Sequence, residues 1–87
     1  MLALPSELTH HQASACVLQL QRGITASASP VVIEAGALER FDSSALAVLL
    51  QCRRQALSQG KEFAVQGMPQ ALQRLAQMYG VASLWEK

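Results

Sequence analysis

The stretch Val31-Val32-Ile33 constrains this chain most: three consecutive β-branched residues, with Pro30 before them and Gly36 shortly after. Such side chains are stiff at χ1 and fit the pleated surface of a sheet better than a helix. The run is continuous and not alternating, the pattern of a strand covered on both faces, as in the middle of a parallel sheet. A parallel strand needs long crossover connections, so the flanking sequence must supply helices. It does so on both sides.

Ahead of the run, Ala13, Cys16, Val17 and Leu20 recur at helical spacing, Thr9 and Gln12 have capping-box spacing, and Gly23 fits a left-handed terminus. These signals predict a helix over residues 10–22. Leu2 to Leu4, ended by Pro5, reads as a clipped strand. After the run, Asp42, Ser43 and Ser44 are N-cap residues, followed by an apolar stretch from Ala45 to Leu57 that Gly60 stops. On a helical wheel Ala45, Leu46, Leu49, Leu50, Cys52, Ala56 and Leu57 share one arc, and Gln51, Arg54, Gln55 and Ser58 share the other. Arg53 falls in the apolar arc and is expected to lay its stem along the surface and reach water at the helix end. Glu62-Phe63-Ala64-Val65-Gln66 alternates as a strand, Gly67-Met68 turns, and Pro69 opens a helix with the stripe Ala71, Leu72, Leu75, Met78 and Tyr79, ended by Gly80. Val81, Leu84 and Trp85 close the domain as a short strand or turn. Strands alternating with helices give an α/β sandwich with parallel pairs.

At 87 residues the chain reads as a single domain, residues 1–87, with a thin stability margin. A hydrophobic fraction of 51% excludes a disordered chain. A net charge of +1 and few aromatics argue against nucleic-acid binding. No apolar segment approaches the roughly 20 residues that cross a bilayer, so direct membrane insertion is not expected. The start lacks the basic and apolar regions of a secretory signal, and cytoplasmic placement follows, with Cys16 and Cys52 as buried thiols. His10 and His11 are adjacent and read as exposed residues at a helix start, and no cysteine pair has zinc-site spacing, so no metal is expected. Ser43 and Ser44 lack the flanking glycines of a nucleophile elbow, and no phosphate-cradling glycine loop is present. The expectation is a non-enzyme with no catalytic residues and no cofactor.

Val31-Val32-Ile33-Glu34, a turn through Phe41, then Asp42-Ser43-Ser44-Ala45-Leu46-Ala47-Val48-Leu49-Leu50, Gly60, a strand and a Pro-started helix closing at Gly80 together resemble the STAS family. The family's signature is an apolar strand followed by Asp-Ser-Ser/Thr-Gly-Leu-small-x-Leu-Leu at a helix start. Ala45 stands where the family has Gly, and the N-terminal hairpin looks reduced to one short strand. The resemblance implies a STAS fold with a mixed sheet of about four strands and helices packed against it.

In the anti-sigma-factor-antagonist branch, the residue after the Asp is the phospho-acceptor, which is Ser43 here; partners would be an anti-sigma factor and its kinase. The chain is more similar to the small STAS subunit of Mla-type ABC systems, which move phospholipids and maintain outer-membrane asymmetry. That branch implies a cytoplasmic accessory subunit, peripheral to the inner membrane through the complex, that binds the transporter's ATPase subunit. Under that reading Asp42, Ser43, Ser44, Ala47, Gln51 and Arg54 are expected to line the partner surface. Homodimerisation is left open.

Overall fold

The β-branched run forms a strand where its composition places it, and the rest of the chain is arranged around that strand. The computed structural model describes residues 2–84, in the order β1 (Leu2–Ala3), β2 (Glu7–Leu8), α1 (Ala13–Ala26), β3 (Val31–Glu34), β4 (Arg40–Phe41), α2 (Ser44–Ser58), β5 (Phe63–Gln66) and α3 (Gln70–Met78), then a 3-10 turn over Ala82–Leu84. Trp85, expected to help close the domain, lies outside the described residues.

β3 pairs in parallel with β1, Leu2 opposite Ile33, and with β5, from Val31 opposite Phe63 to Glu34 opposite Gln66. β2 pairs in parallel with β4 as a separate two-stranded sheet, Glu7 opposite Arg40 and Leu8 opposite Phe41. This corrects the expected mixed sheet of four strands: two small sheets form, of three and two strands, and every pairing among the described residues is parallel. The break has a local cause. Leu4 donates the last bond of the first pairing to the Glu34 carbonyl, and the Gly36 N–H that would return to the Leu4 carbonyl is taken instead by the Glu34 side chain. On the facing chain a turn closed by the Leu38 N–H on the Ala35 carbonyl interrupts the strand at the same level. Pairing resumes where the Ser6 carbonyl accepts the N–H groups of Glu39 and Arg40. The segment between β3 and α2, expected as a turn throughout, therefore contains β4.

The strand order β1-β3-β5 advances in one direction. Crossovers of the same hand then place α1 and α2 on one face of the sheet. Val31 and Ile33 are buried beneath them, whereas Val32 and Glu34 on the opposite face remain half-exposed. The expectation of a strand covered equally on both faces is thus met on one face only. Ile33, Ile24, Leu49, Leu72 and Leu8 fill the core with essentially no exposure. Cys16 and Cys52 lie in the same core as free thiols, and burial, with Cys16 nearby, pushes the Cys52 thiol up to about 12.

α1 starts and ends later than expected. The Gln12 side-chain oxygen accepts both the Thr9 N–H (2.9 Å) and the Thr9 hydroxyl (2.7 Å), closing a separate turn before the helix begins. Gly23, expected as the terminus, sits inside the helix because Leu2 packs directly against it, leaving no space for a Cβ. At the far end Lys61 Nζ donates to the carbonyls of Ile24 (2.7 Å) and Thr25 (3.2 Å). α2 ends at Ser58, and Gly60, two residues on, has a φ of 72° that lets the Lys61 N–H return to the Ala56 carbonyl. Arg53 does more than reach water: its Nε donates to the Leu84 carbonyl at 3.2 Å and ties the final turn to α2.

α3 buries Leu72 and Ala76, but Met78 and Tyr79, expected in its apolar stripe, are 79% and 61% exposed. The helix stops at Met78, and the Val81 N–H turns back to the Ala76 carbonyl, so Val81 covers the place Tyr79 would have taken. Leu57, assigned to the apolar arc of α2, is likewise exposed in the last turn of that helix.

Gly67 and Gly60 have nearly the same positive φ, 68° and 72°, but different surroundings. A Cβ at Gly60 meets open space, whereas one at Gly67 collides with the Glu34 carboxylate, which is held at 2.8 Å by the Gly36 N–H. Gly60→Ala is expected to cost about 1 kcal/mol from the left-handed backbone alone. Gly67→Ala is expected to cost about 2 kcal/mol, since it also forces the Glu34 hydrogen bond apart. Urea unfolding of the two variants checks this; equal losses would show that Glu34 moves aside freely.

Candidate functional site

β4 ends at Phe41, and the next residue, Asp42, organises the start of α2. Its Oδ1 accepts the Ser44 N–H at 2.8 Å, an Asx turn that satisfies one of the helix's free donors. Its backbone carbonyl accepts the Ala45 N–H, and the Ser43 carbonyl accepts those of Leu46 and Ala47. The capping side chain is therefore Asp42. Ser43 makes no side-chain cap bond, and it stands exposed at the tip. Ser44 is half-buried behind it.

The second Asp42 oxygen reaches across the fold. Oδ2 accepts the His10 N–H at 3.1 Å and lies 3.2 Å from His10 Nδ1. His10 and His11 stand in the turn before α1 and not on a helix, with ring centroids 4.0 Å apart. One carboxylate thus pins the turn before α1 to the first turn of α2. The Asp42 carboxyl is held down to about 2, first by the Ser44 N–H, against some desolvation, and then by the His10 N–H and ring. No hydrogen bond among the described residues joins His10 to Ser43 or Ser44; its ring is turned to Asp42. Nor does any group of three metal-ligating side chains come together among the described residues.

From the tip, Ser43, Ala47, Gln51 and Arg54 continue as one exposed stripe along α2. Their spacing of four, four and three residues keeps them on one helical face. The six residues singled out from the sequence therefore lie together, with Asp42 and Ser44 set inward of Ser43.

The stripe also forms one wall of a groove whose other wall the sequence did not reveal. Leu18, Gln21, Arg22 and Thr25 of α1 face Gln51, Arg54, Gln55 and Ser58 of α2 across it. Towards the tip the groove continues between Leu18 and Ala47. Gln55 Nε2 straps the walls together, donating to the Gln21 carbonyl at 2.9 Å and to Thr25 Oγ1 at 3.2 Å, and Gln59 Nε2 reaches the same hydroxyl at 3.1 Å. Because only an N–H suits the Gln21 carbonyl, the Gln55 amide orientation is fixed, and its buried Oε1 is left without a donor. Leu18 carried a faint signal, an apolar residue off the Cys16-Leu20 stripe. His10 carried none, since nothing local reports a contact made 32 residues away.

Because the Asp42 carboxyl is depressed in the folded state, its contribution to stability is present above the unfolded value of about 3.9 and is lost as pH falls towards its folded value of about 2. Asp42→Asn keeps an acceptor for Ser44 but removes the titration. Urea midpoints measured down to about pH 2 are expected to fall more steeply for the parent chain than for the variant between about pH 4 and pH 2. Parallel curves in that window would exclude the Asp42 clip as the cause.

The comparisons with known proteins bear on this geometry. No curated protein matches the chain. The family model described as "Mlab, STAS domain" matches residues 1–86. An apolar strand, an Asp-Ser-Ser helix tip and three helices on a small parallel sheet fit that match, and the chain belongs to the STAS domain family, in its MlaB-like form.

Proposed function

We propose that the chain is an accessory subunit that binds the ATPase of a phospholipid-transport ABC system through the tip and outer stripe of α2. STAS domains are generally non-enzymatic binding and regulatory modules, and the family match is to the MlaB-like form. The observation that carries the reading is the exposed row of Ser43, Ala47, Gln51 and Arg54, rooted at a tip that Asp42 fixes in place. An exposed row of small and polar groups suits a modest protein interface. No helix of the described chain is long and apolar enough to cross a membrane.

Regulation by phosphorylation at Ser43 is the second reading, favoured by its exposed, unbonded hydroxyl. The tip would not cradle the phosphate. Asp42 and Ser43 acceptors already take the N–H groups of Ser44, Ala45, Leu46 and Ala47, and Asp42 keeps its own negative charge beside the site. A phosphate there would act by adding about −1.5 to −2 charge to the docking surface and repelling what it meets.

Ser43→Glu is expected to weaken binding to the ABC ATPase by about ten-fold, because an unpaired carboxylate enters the interface. Titration calorimetry with the purified ATPase measures it, and unchanged affinity would overturn the reading. For the alternative, intact-mass analysis after incubation with a cognate kinase should show one added phosphate, absent in Ser43→Ala; no mass change would dismiss it.

A further inference from the structure

The charges on this molecule are sorted by element. The six acidic residues lie at positions 7, 34, 39, 42, 62 and 86, and none falls within α1, α2 or α3. Those helices carry Arg22, Arg53, Arg54 and Arg74. Arg53 is engaged with the Leu84 carbonyl. Arg22 and Arg54 are exposed, and among the described residues no carboxylate lies within ion-pair distance of either; Glu7 pairs with Arg40, and Asp42 is hydrogen-bonded to His10.

Arg22 and Arg54 are also placed together. The Gln55 strap to Gln21 and Thr25 sets residue 55 of α2 level with residues 21–25 of α1. Arg22 and Arg54 therefore stand at about the same height on opposite walls of the groove. Between them and the tip lies Leu18, 60% exposed, next to Ala47. From Ala47 to Ser58 the groove runs roughly 16 Å along α2, about three helical turns.

The geometry points to the α1–α2 groove as the docking site for an acidic segment of a partner protein, its carboxylates held between Arg22 and Arg54 and one apolar side chain resting on Leu18 and Ala47. Charge complementarity argues for the occupant: two arginines on opposite walls, without carboxylate partners, each donate to a carboxylate in paired, planar geometry. An anionic lipid surface fits less well, because a single exposed apolar side chain, Leu18, accompanies the two arginines in the groove. The inference deepens the proposed ATPase-binding reading by specifying what the partner presents to this face, and it rests on that reading for the partner's identity.

Two synthetic helical peptides test it, one with glutamates spaced four residues apart around a central leucine, the other with lysines in the same places. The acidic peptide should shift the amide resonances of Leu18, Arg22 and Arg54 in the labelled chain. Its affinity should fall at least ten-fold in R22E/R54E and with added salt, but not in R74E, which reverses a single charge on α3, outside the groove. Equal binding of the lysine peptide, shifts confined to other elements, or no binding would overturn the inference. So would stronger groove shifts with phosphatidylglycerol vesicles than with the acidic peptide. The same variants, with Ser43→Glu, are then titrated with the ABC ATPase. If Ser43→Glu loses the ATPase while R22E/R54E keeps it, the inference falls and the ATPase reading stands. If no form binds the ATPase but the peptide result holds, the ATPase reading falls alone.

Discussion

The steady advance of strands from β1 to β3 to β5 is the constraint on which the rest of this molecule depends. It obliges α1 and α2 to share one face of the sheet and to lie side by side, with Ile33 and Val31 buried beneath them. A reversal of order at either edge would have sent one helix to the other face. There would then be no paired walls, no strap from Gln55 to Gln21, and no surface combining residues of both helices. The sheet is small, so most of its stabilising burial comes from this single layer of contacts, and substitutions at Ile33 or Leu49 would reach the helix pair directly.

The helix tip depends on the same layout. β4 ends one residue before Asp42, and the two oxygens of that carboxylate serve different parts of the chain. Ser43 is released from capping because Asp42 does it. An exposed hydroxyl on a fixed backbone is a suitable contact for another protein: rigid in position, undemanding in chemistry, and sensitive to added charge. The fold thus separates holding the tip from presenting it.

Much of this was legible in the sequence. The run Val31-Val32-Ile33 identified the central strand, because β-branched side chains restrict the choice. Asp42-Ser43-Ser44 identified the start of α2, and the polar arc Gln51, Arg54, Gln55 and Ser58 is the wall of the groove on that helix. Local patterns report local structure well. They failed where long-range contacts decided the outcome. Gly23 looked like a stop but is a contact point for Leu2, and Met78 and Tyr79 looked like core but lie beyond the turn that Val81 makes. The division of the sheet turned on the Glu34 side chain taking the Gly36 N–H and on the turn that the Leu38 N–H closes, neither of which a local pattern announces. The α1 wall and His10 became part of the site only through pairings more than 30 residues apart.

Lys61 has a role that complements Asp42. Since the described strands all pair in parallel, α1 and α2 both run back against them, and their peptide dipoles point the same way and repel sideways. Asp42 sits at the positive end, touching the first turn of α2 and the chain entering α1, while Lys61 sits at the negative end, its ammonium on α1 carbonyls and its backbone N–H on α2. Two bookends of opposite sign thus hold a pair of like-directed rods together. Both are near solvent, so mobile ions weaken them within a Debye length of about 10 Å at 0.1 M salt, leaving the apolar layer between the rods to carry more of the cohesion as ionic strength rises.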